Sequence, residues 1–180
     1  MSRRGREPAP QASGDTVSVL ALAREIAEAV PDPELPMLTL ADLGILRGVS
    51  AYGERVIVSL TPTYSGCPAL AEMRGDLARR LAAAGLQTEV RTVLSPAWSS
   101  DWITAAGRCK LAAAGIAPPG PAPHRGGPVP LALSPARRDV ACPRCGAPGA
   151  EQTAACSGTA CKALYRCAAC REPFEYVKEI

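Results

Sequence analysis

Residues 45–61, ILRGVSAYGERVIVSLT, change from apolar to turn-forming and back to apolar within seventeen positions. Ile45 to Ser50 and Arg55 to Thr61 carry the β-branched, alternating pattern of strands, and Ala51-Tyr-Gly-Glu54 between them reads as a turn. A β-hairpin is the expectation. Just beyond it, after Thr63-Tyr-Ser-Gly-Cys67, the period changes: Leu70, Met73, Leu77, Leu81 and Ala84 fall on one helical face before Gly85. Glycine is a common helix stop, so the pattern predicts a helix whose start is fed by the loop that carries Cys67.

Working outward, Gln87 to Leu94 alternates as a third strand, and Ser100 or Asp101 can cap a last helix through Trp102, Ile103, Ala106, Cys109 and Ala113. Towards the N-terminus, Thr16 can cap a helix running to about Val30, with Val19, Leu22, Ile26 and Val30 as its apolar stripe. Pro31 and Pro33 stop that helix and lead into the proline-bounded loop Asp32-Pro-Glu-Leu-Pro36. The expected order is α-β-β-α-β-α, a small α/β (α+β) domain over residues 16–116 with residues 1–15 as a disordered tail.

Residues 117–136 hold seven prolines and three glycines around the single histidine, His124, so no helix or ladder can persist and the segment reads as a linker. Residues 137–180 form a second unit. Short strand-like pieces, Ala163 to Arg166 and Phe174 to Val177, lie beside Cys142-Pro-Arg-Cys145-Gly146 and Cys167-Ala-Ala-Cys170. Two Cys-x-x-Cys pairs separated by twenty-one residues have the spacing with which a zinc ribbon encloses one tetrahedral ion. A unit of about forty residues has too little core to fold alone, so bound Zn²⁺ at Cys142, Cys145, Cys167 and Cys170 is expected to be structural. A rubredoxin-like iron in the same sulfur cage, carrying electrons, is the competing reading.

The 180 residues are 47% hydrophobic, enough for one core of about 100 residues plus a satellite. The net charge of +3 is spread along the chain, and the seven basic groups after Pro135 are offset by five acids. That balance argues against a nucleic-acid partner, which leaves a protein-binding ribbon as a further alternative. No apolar run reaches the eighteen or so residues of a membrane span, and the basic start Ser2-Arg-Arg-Gly-Arg6 is not followed by a signal core. Together with paired cysteines suited to reduced metal binding, this predicts a cytoplasmic protein with no membrane partner.

Four cysteines remain. Cys67, in Ser65-Gly-Cys-Pro68 at a predicted helix start, has the setting that lowers a thiol's pKa and favours a nucleophilic or metal-binding thiolate. Cys109 reads as core. Cys156 and Cys161 read as packed thiols or as spare ligands for a labile cluster. The sequence has no Glu-x-x-His pairs for a di-iron centre, no Gly-x-Gly-x-x-Gly and no P-loop, and one linker histidine cannot serve a hydrolytic triad. Self-contained catalysis is therefore not expected.

At Asp32-Pro-Glu-Leu-Pro36, Asp42-Leu-Gly44, Thr61-Pro-Thr-Tyr-Ser-Gly-Cys-Pro68 and Pro96-Ala-Trp-Ser-Ser-Asp-Trp102 the sequence resembles the iron-sulfur assembly domain family that includes the SufT-type maturation factors. With Gly107-Arg-Cys-Lys-Leu111, Gly115-Ile-Ala-Pro-Pro119, Gly158-Thr-Ala-Cys-Lys-Ala-Leu-Tyr-Arg-Cys167 and Glu172-Pro-Phe174, it is similar to the PaaD family, the D components of phenylacetyl-CoA 1,2-epoxidase systems. The resemblance spans about residues 17–180. It implies a non-catalytic accessory component of a multicomponent monooxygenase in aerobic phenylacetate degradation. The oxygenase and reductase subunits would be its partners, and the di-iron and flavin chemistry would belong to them. It also implies help in maturing or inserting their iron or iron-sulfur centres, and it places the family's characteristic cysteine and acidic loop residue on Cys67 and Asp32. A transient iron or cluster is accordingly expected at Cys67 and Asp32, with Cys161 as a further ligand; Cys109 and Cys156 receive no family role.

Overall fold

The computed structural model describes residues 14–123 and 139–180. The expected tail up to residue 13 and the expected linker from His124 to Ala136 lie outside the described residues. The first unit contains α1 (Gly14–Glu28), β1 (Leu46–Tyr52), β2 (Arg55–Leu60), α2 (Leu70–Ala83), β3 (Thr88–Thr92), a single 3₁₀ turn (Ser100–Trp102) and α3 (Ala105–Ala113). The expected hairpin is present: β1 and β2 pair antiparallel around Gly53, whose φ of +59° suits the tight turn. β3 adds parallel to β2, with α2 supplying the crossover that a parallel pair requires. Helices α1 and α2 contact the sheet and each other, and Val49, Val56, Val58 and Leu60 meet Met73, Leu77 and Leu81 in one apolar cluster.

Three expectations change. The stripe on α1 is offset: the helix begins at Gly14, buries Ala23 and Ala27, and leaves Val19 and Leu22 at 37% and 43% exposure. Leu20 and Ile26 pack against the core beside the two alanines, and Val30 just past the helix is fully buried, so the buried face is turned from the expected stripe. The final helix is split. Thr104, not Ser100 or Asp101, caps α3 by accepting the Gly107 N–H at 2.9 Å, and this break rotates the helix so that Leu111 is buried and Cys109 is exposed. Gly107 is needed where it stands, because a Cβ there would meet the Asp42 carbonyl oxygen at 2.8 Å.

Asp42 joins these pieces. Its carboxylate accepts the Thr39 N–H at 3.0 Å and a Lys110 ammonium proton at 2.6 Å, and its carbonyl accepts the Thr104 N–H at 2.9 Å. Burial pushes the Asp42 carboxyl up, but the Lys110 and Thr39 donors outweigh it and hold the group below its ordinary 3.8. Because the folded group titrates lower than the unfolded one, its stabilisation is present above the ordinary carboxylate range and is lost as pH falls through the folded value. Asp42→Ala should cost about 1–3 kcal/mol near neutral pH, with the gap to the parent chain closing in acid, as urea unfolding across pH would show.

The second unit is a three-stranded antiparallel sheet, β4 (Glu151–Ala154), β5 (Lys162–Arg166) and β6 (Pro173–Val177). Its core is Val140, Ala150, Ala163, Tyr165, Phe174 and Tyr176, with the Tyr165 ring centroid 6.1 Å from that of Phe174 and 5.3 Å from that of Tyr176. The two units are docked. Ala117 bridges in parallel to Tyr176, donating to the Glu175 carbonyl at 2.8 Å and accepting from the Val177 N–H at 3.0 Å. Val177 itself is buried in the α/β core, and Ser100 and Ile180 exchange hydrogen bonds at 3.0 and 3.2 Å. Among the described residues no helix is long and apolar enough to cross a membrane.

Candidate metal centre and adjoining thiol cluster

Both knuckles are built the same way. The residue after each second cysteine, Gly146 or Arg171, takes the left-handed conformation (φ +74° and +67°), and its N–H returns to the carbonyl of the first cysteine, Cys142 or Cys167, at 2.9 and 3.1 Å. That turn aims each cysteine pair inwards. All four Sγ atoms lie within 4.8 Å of one another, with Cys142–Cys170 at 3.8 Å and Cys145–Cys167 at 3.6 Å. A tetrahedral ion with metal–sulfur bonds of about 2.3 Å places its sulfurs about 3.8 Å apart, so the four thiols fit a soft tetrahedral cation. Two of the four are shifted in opposite directions. The Cys170 and Ala169 N–H groups pull Cys167 down to about 6, while Cys170, despite the Glu172 N–H, is pushed up to about 12 by burial and its three sulfur neighbours. Cys167 is thus favoured as a thiolate, and its presence disfavours ionisation of the neighbouring Cys170.

The ribbon brings a second set of thiols to the α/β domain. Asp32, in the proline-bounded loop after α1, is buried and accepts the Glu34 and Leu35 N–H groups at 2.9 and 2.8 Å through Oδ1, so it shapes this loop. Cys67 precedes α2, half-buried against the core. From the ribbon, the turn before β5 presents Cys161, whose Sγ lies 3.1 Å from Thr159 Oγ1 and whose carbonyl accepts the Lys178 N–H at 2.9 Å. Cys67 lies within electrostatic reach of Glu34, Cys161 and Asp32, Glu34 reaches Asp32 and Cys161 as well, and Lys162, itself paired with Glu175 at 3.0 Å, is the cation beside Asp32, Glu34 and Cys161.

The expected lowering of the Cys67 pKa is reversed. Burial pushes the thiol up, and Glu34, Cys161 and Asp32 add to it, outweighing the Ala69 N–H at the helix start. Burial likewise raises Cys161 and Asp32, against the opposing hydrogen bond from Thr159 to the one and from Leu35 and Glu34 to the other. Among the described residues, only the four-cysteine cage has three or more donors packed into one coordination sphere. The thiols and carboxylates of the second cluster are neighbours that would have to close around a guest.

Glu34, Thr159 and Lys162 were not singled out from the sequence. Glu34 stands in the quoted loop motif two residues from Asp32 and was within reach of sequence reasoning. Thr159 and Lys162 matter only because the ribbon docks there, which no local pattern encodes. Cys156 is exposed rather than packed, with Lys178 Nζ 3.8 Å away.

Comparisons with known proteins match two separate stretches of the chain. Residues 24–94 match the model described as iron-sulfur cluster assembly protein, and residues 127–178 match the model described as PaaD zinc beta ribbon domain. A relative from Escherichia coli K12, provisionally named as the D component of 1,2-phenylacetyl-CoA epoxidase, is 43% identical over 152 residues, covering 83% of this chain and 86% of that protein. Two solved structures are similar over part of the chain. A domain of unknown function, DUF59, from Bacillus anthracis is 25% identical with a TM-score of 0.49, over 54% of this chain and 94% of its own. Rv1466 from Mycobacterium tuberculosis, described as associated with iron-sulfur complex assembly and repair, is 29% identical with a TM-score of 0.32, over 58% of this chain and 96% of its own. An iron-sulfur assembly domain followed by a four-cysteine ribbon, shared with a relative along most of both chains, places this chain in the PaaD family.

Proposed function

We propose that this chain is a non-catalytic accessory component of a phenylacetyl-CoA 1,2-epoxidase system that assists maturation or insertion of iron or iron-sulfur centres in the oxygenase and reductase subunits. The observation that supports the reading is that Cys67 of the assembly domain lies within electrostatic reach of Asp32 in the neighbouring loop and of Cys161 in the ribbon. Two thiols and two acids, Asp32 and Glu34, would have to close together to hold a soft or borderline cation, and a site of that kind holds it loosely. Loose holding suits delivery. In this reading Cys142, Cys145, Cys167 and Cys170 hold a structural Zn²⁺ that fixes the ribbon and so positions Cys161. Cys67 and Cys161 are protonated at neutral pH by the burial that raises them, so loading releases protons and tightens as pH rises.

The test is reconstitution. The purified chain, given phenylacetyl-CoA, NADPH and oxygen, should form no product, whereas oxygenase produced together with it should contain more iron and turn over faster than oxygenase produced without it. Product from the chain alone, or equal iron and activity in both preparations, would refute the assignment.

A further inference from the structure

The open end of the β1–β2 ladder, opposite the Gly53 turn, carries a polar cleft whose lining includes none of the cysteines. Pairing slips between Leu46 and Gly48, leaving Arg47 as the extra residue of a bulge, a device that re-aims a side chain. Arg47 stacks its guanidinium over the Trp102 ring, 3.7 Å from the centroid, and makes one long hydrogen bond of 3.5 Å to the Gly44 carbonyl. No carboxylate among the described residues pairs with it. Stacking engages the face of the guanidinium and leaves its in-plane N–H fork available. Arg47 is on the wall of a cleft of about 380 Å³ shared with Ser50, Ser59, Thr61, Val93 and Pro96. Thr61 is 1% exposed, and its Oγ1 has no hydrogen-bond partner among the described residues. A buried hydroxyl left unsatisfied costs about 1–3 kcal/mol, so its retention needs a reason.

We propose that this cleft binds a small organic carboxylate, with the Arg47 fork taking the anion, the Thr61 and Ser59 hydroxyls completing its hydrogen bonds, and Val93 and Pro96 covering its apolar part. A single unpaired guanidinium matches a monoanion, and the planar fork matches a carboxylate. The apolar wall would be wasted on inorganic phosphate. The inference stands apart from the maturation reading, since none of these residues belongs to the thiol cluster.

The test is an NMR titration of the full chain with sodium benzoate and, separately, with inorganic phosphate, both at constant ionic strength. Benzoate should shift the Gly48, Ser59 and Thr61 amides along a saturable curve. Arg47→Ala should weaken its binding roughly tenfold or more, the loss of one charge-assisted hydrogen bond, and Arg91→Ala, on the neighbouring strand, should leave it unchanged. Thr61→Val is isosteric and removes the orphan hydroxyl, so it should bind benzoate more weakly while melting at the same or a higher temperature. A Thr61→Val chain that melts lower and binds as the parent does would make the threonine structural and overturn its role. No saturable shift, binding indifferent to Arg47→Ala, or phosphate preferred over benzoate at these residues would overturn the proposal.

Discussion

Stripping the metal from the four-cysteine cage should melt residues 139–180 and release them from the α/β domain, while β1, β2 and β3 keep their fold. The ribbon's apolar core is six small or aromatic side chains together with Cys142 and Cys167 themselves, too few to order about 40 residues alone. Metal ligation supplies on the order of 10 kcal/mol in such units, so its loss exceeds what the remaining contacts can sustain. Undocking then follows. The Ala117–Tyr176 bridge and the Ser100–Ile180 hydrogen bonds depend on an ordered β6, and Val177 leaves the α/β core at a cost of about 1.5 kcal/mol. In the full chain treated with a chelator, amide signals of β4 to β6 should collapse into the unfolded range, and Ala117 and Ser100 should lose exchange protection. Cys142→Ser should do the same without chelator. Ribbon signals that stay dispersed after metal analysis shows complete removal would mean that the metal does not hold the fold.

How far the sequence could be read depended on how local each determinant is. The hairpin was legible because Arg55 to Thr61 alternates and Gly53 supplies the turn, and α2 was legible because Met73, Leu77 and Leu81 recur at spacings of four with Gly85 closing the helix. The cage was legible from two Cys-x-x-Cys pairs, since each knuckle is a short-range turn. Misreadings arose where packing chose between two plausible faces. Leu22 looked like core by hydrophobicity, yet Ala23 and Ala27, with Leu20 and Ile26, make the buried face of α1 and leave Leu22 exposed. Cys109 looked buried because one continuous helix was assumed across Ser100 to Ala113, and the Thr104 cap restarts the helix with a different rotation. Cys161 was named beside Cys67 as a further ligand, but the docking of the ribbon that brings the two near each other was not legible. It depends on a strand-like bridge at Ala117, in a segment whose prolines suggested only a linker, and on Val177 entering the other unit's core.

Cys67→Ser should have the largest effect on function of any single substitution in the α/β domain. Serine nearly matches the thiol in size, and Cys67 lies outside the cage, so fold and cage metal should persist. A hydroxyl is a poor ligand for soft and borderline metals, and losing one thiolate should weaken holding of iron by roughly tenfold or more. Cys161→Ser should act in the same direction, since Cys161 lies within electrostatic reach of Cys67, whereas Cys109→Ser and Cys156→Ser, both at exposed thiols, should not. The decisive measurement is the iron content and specific activity of the oxygenase subunit purified after production with limiting amounts of either the parent chain or the Cys67→Ser chain. The maturation account predicts that both quantities fall together with Cys67→Ser while the variant's own melting temperature and cage metal are unchanged; full iron content and full activity with that variant would contradict it.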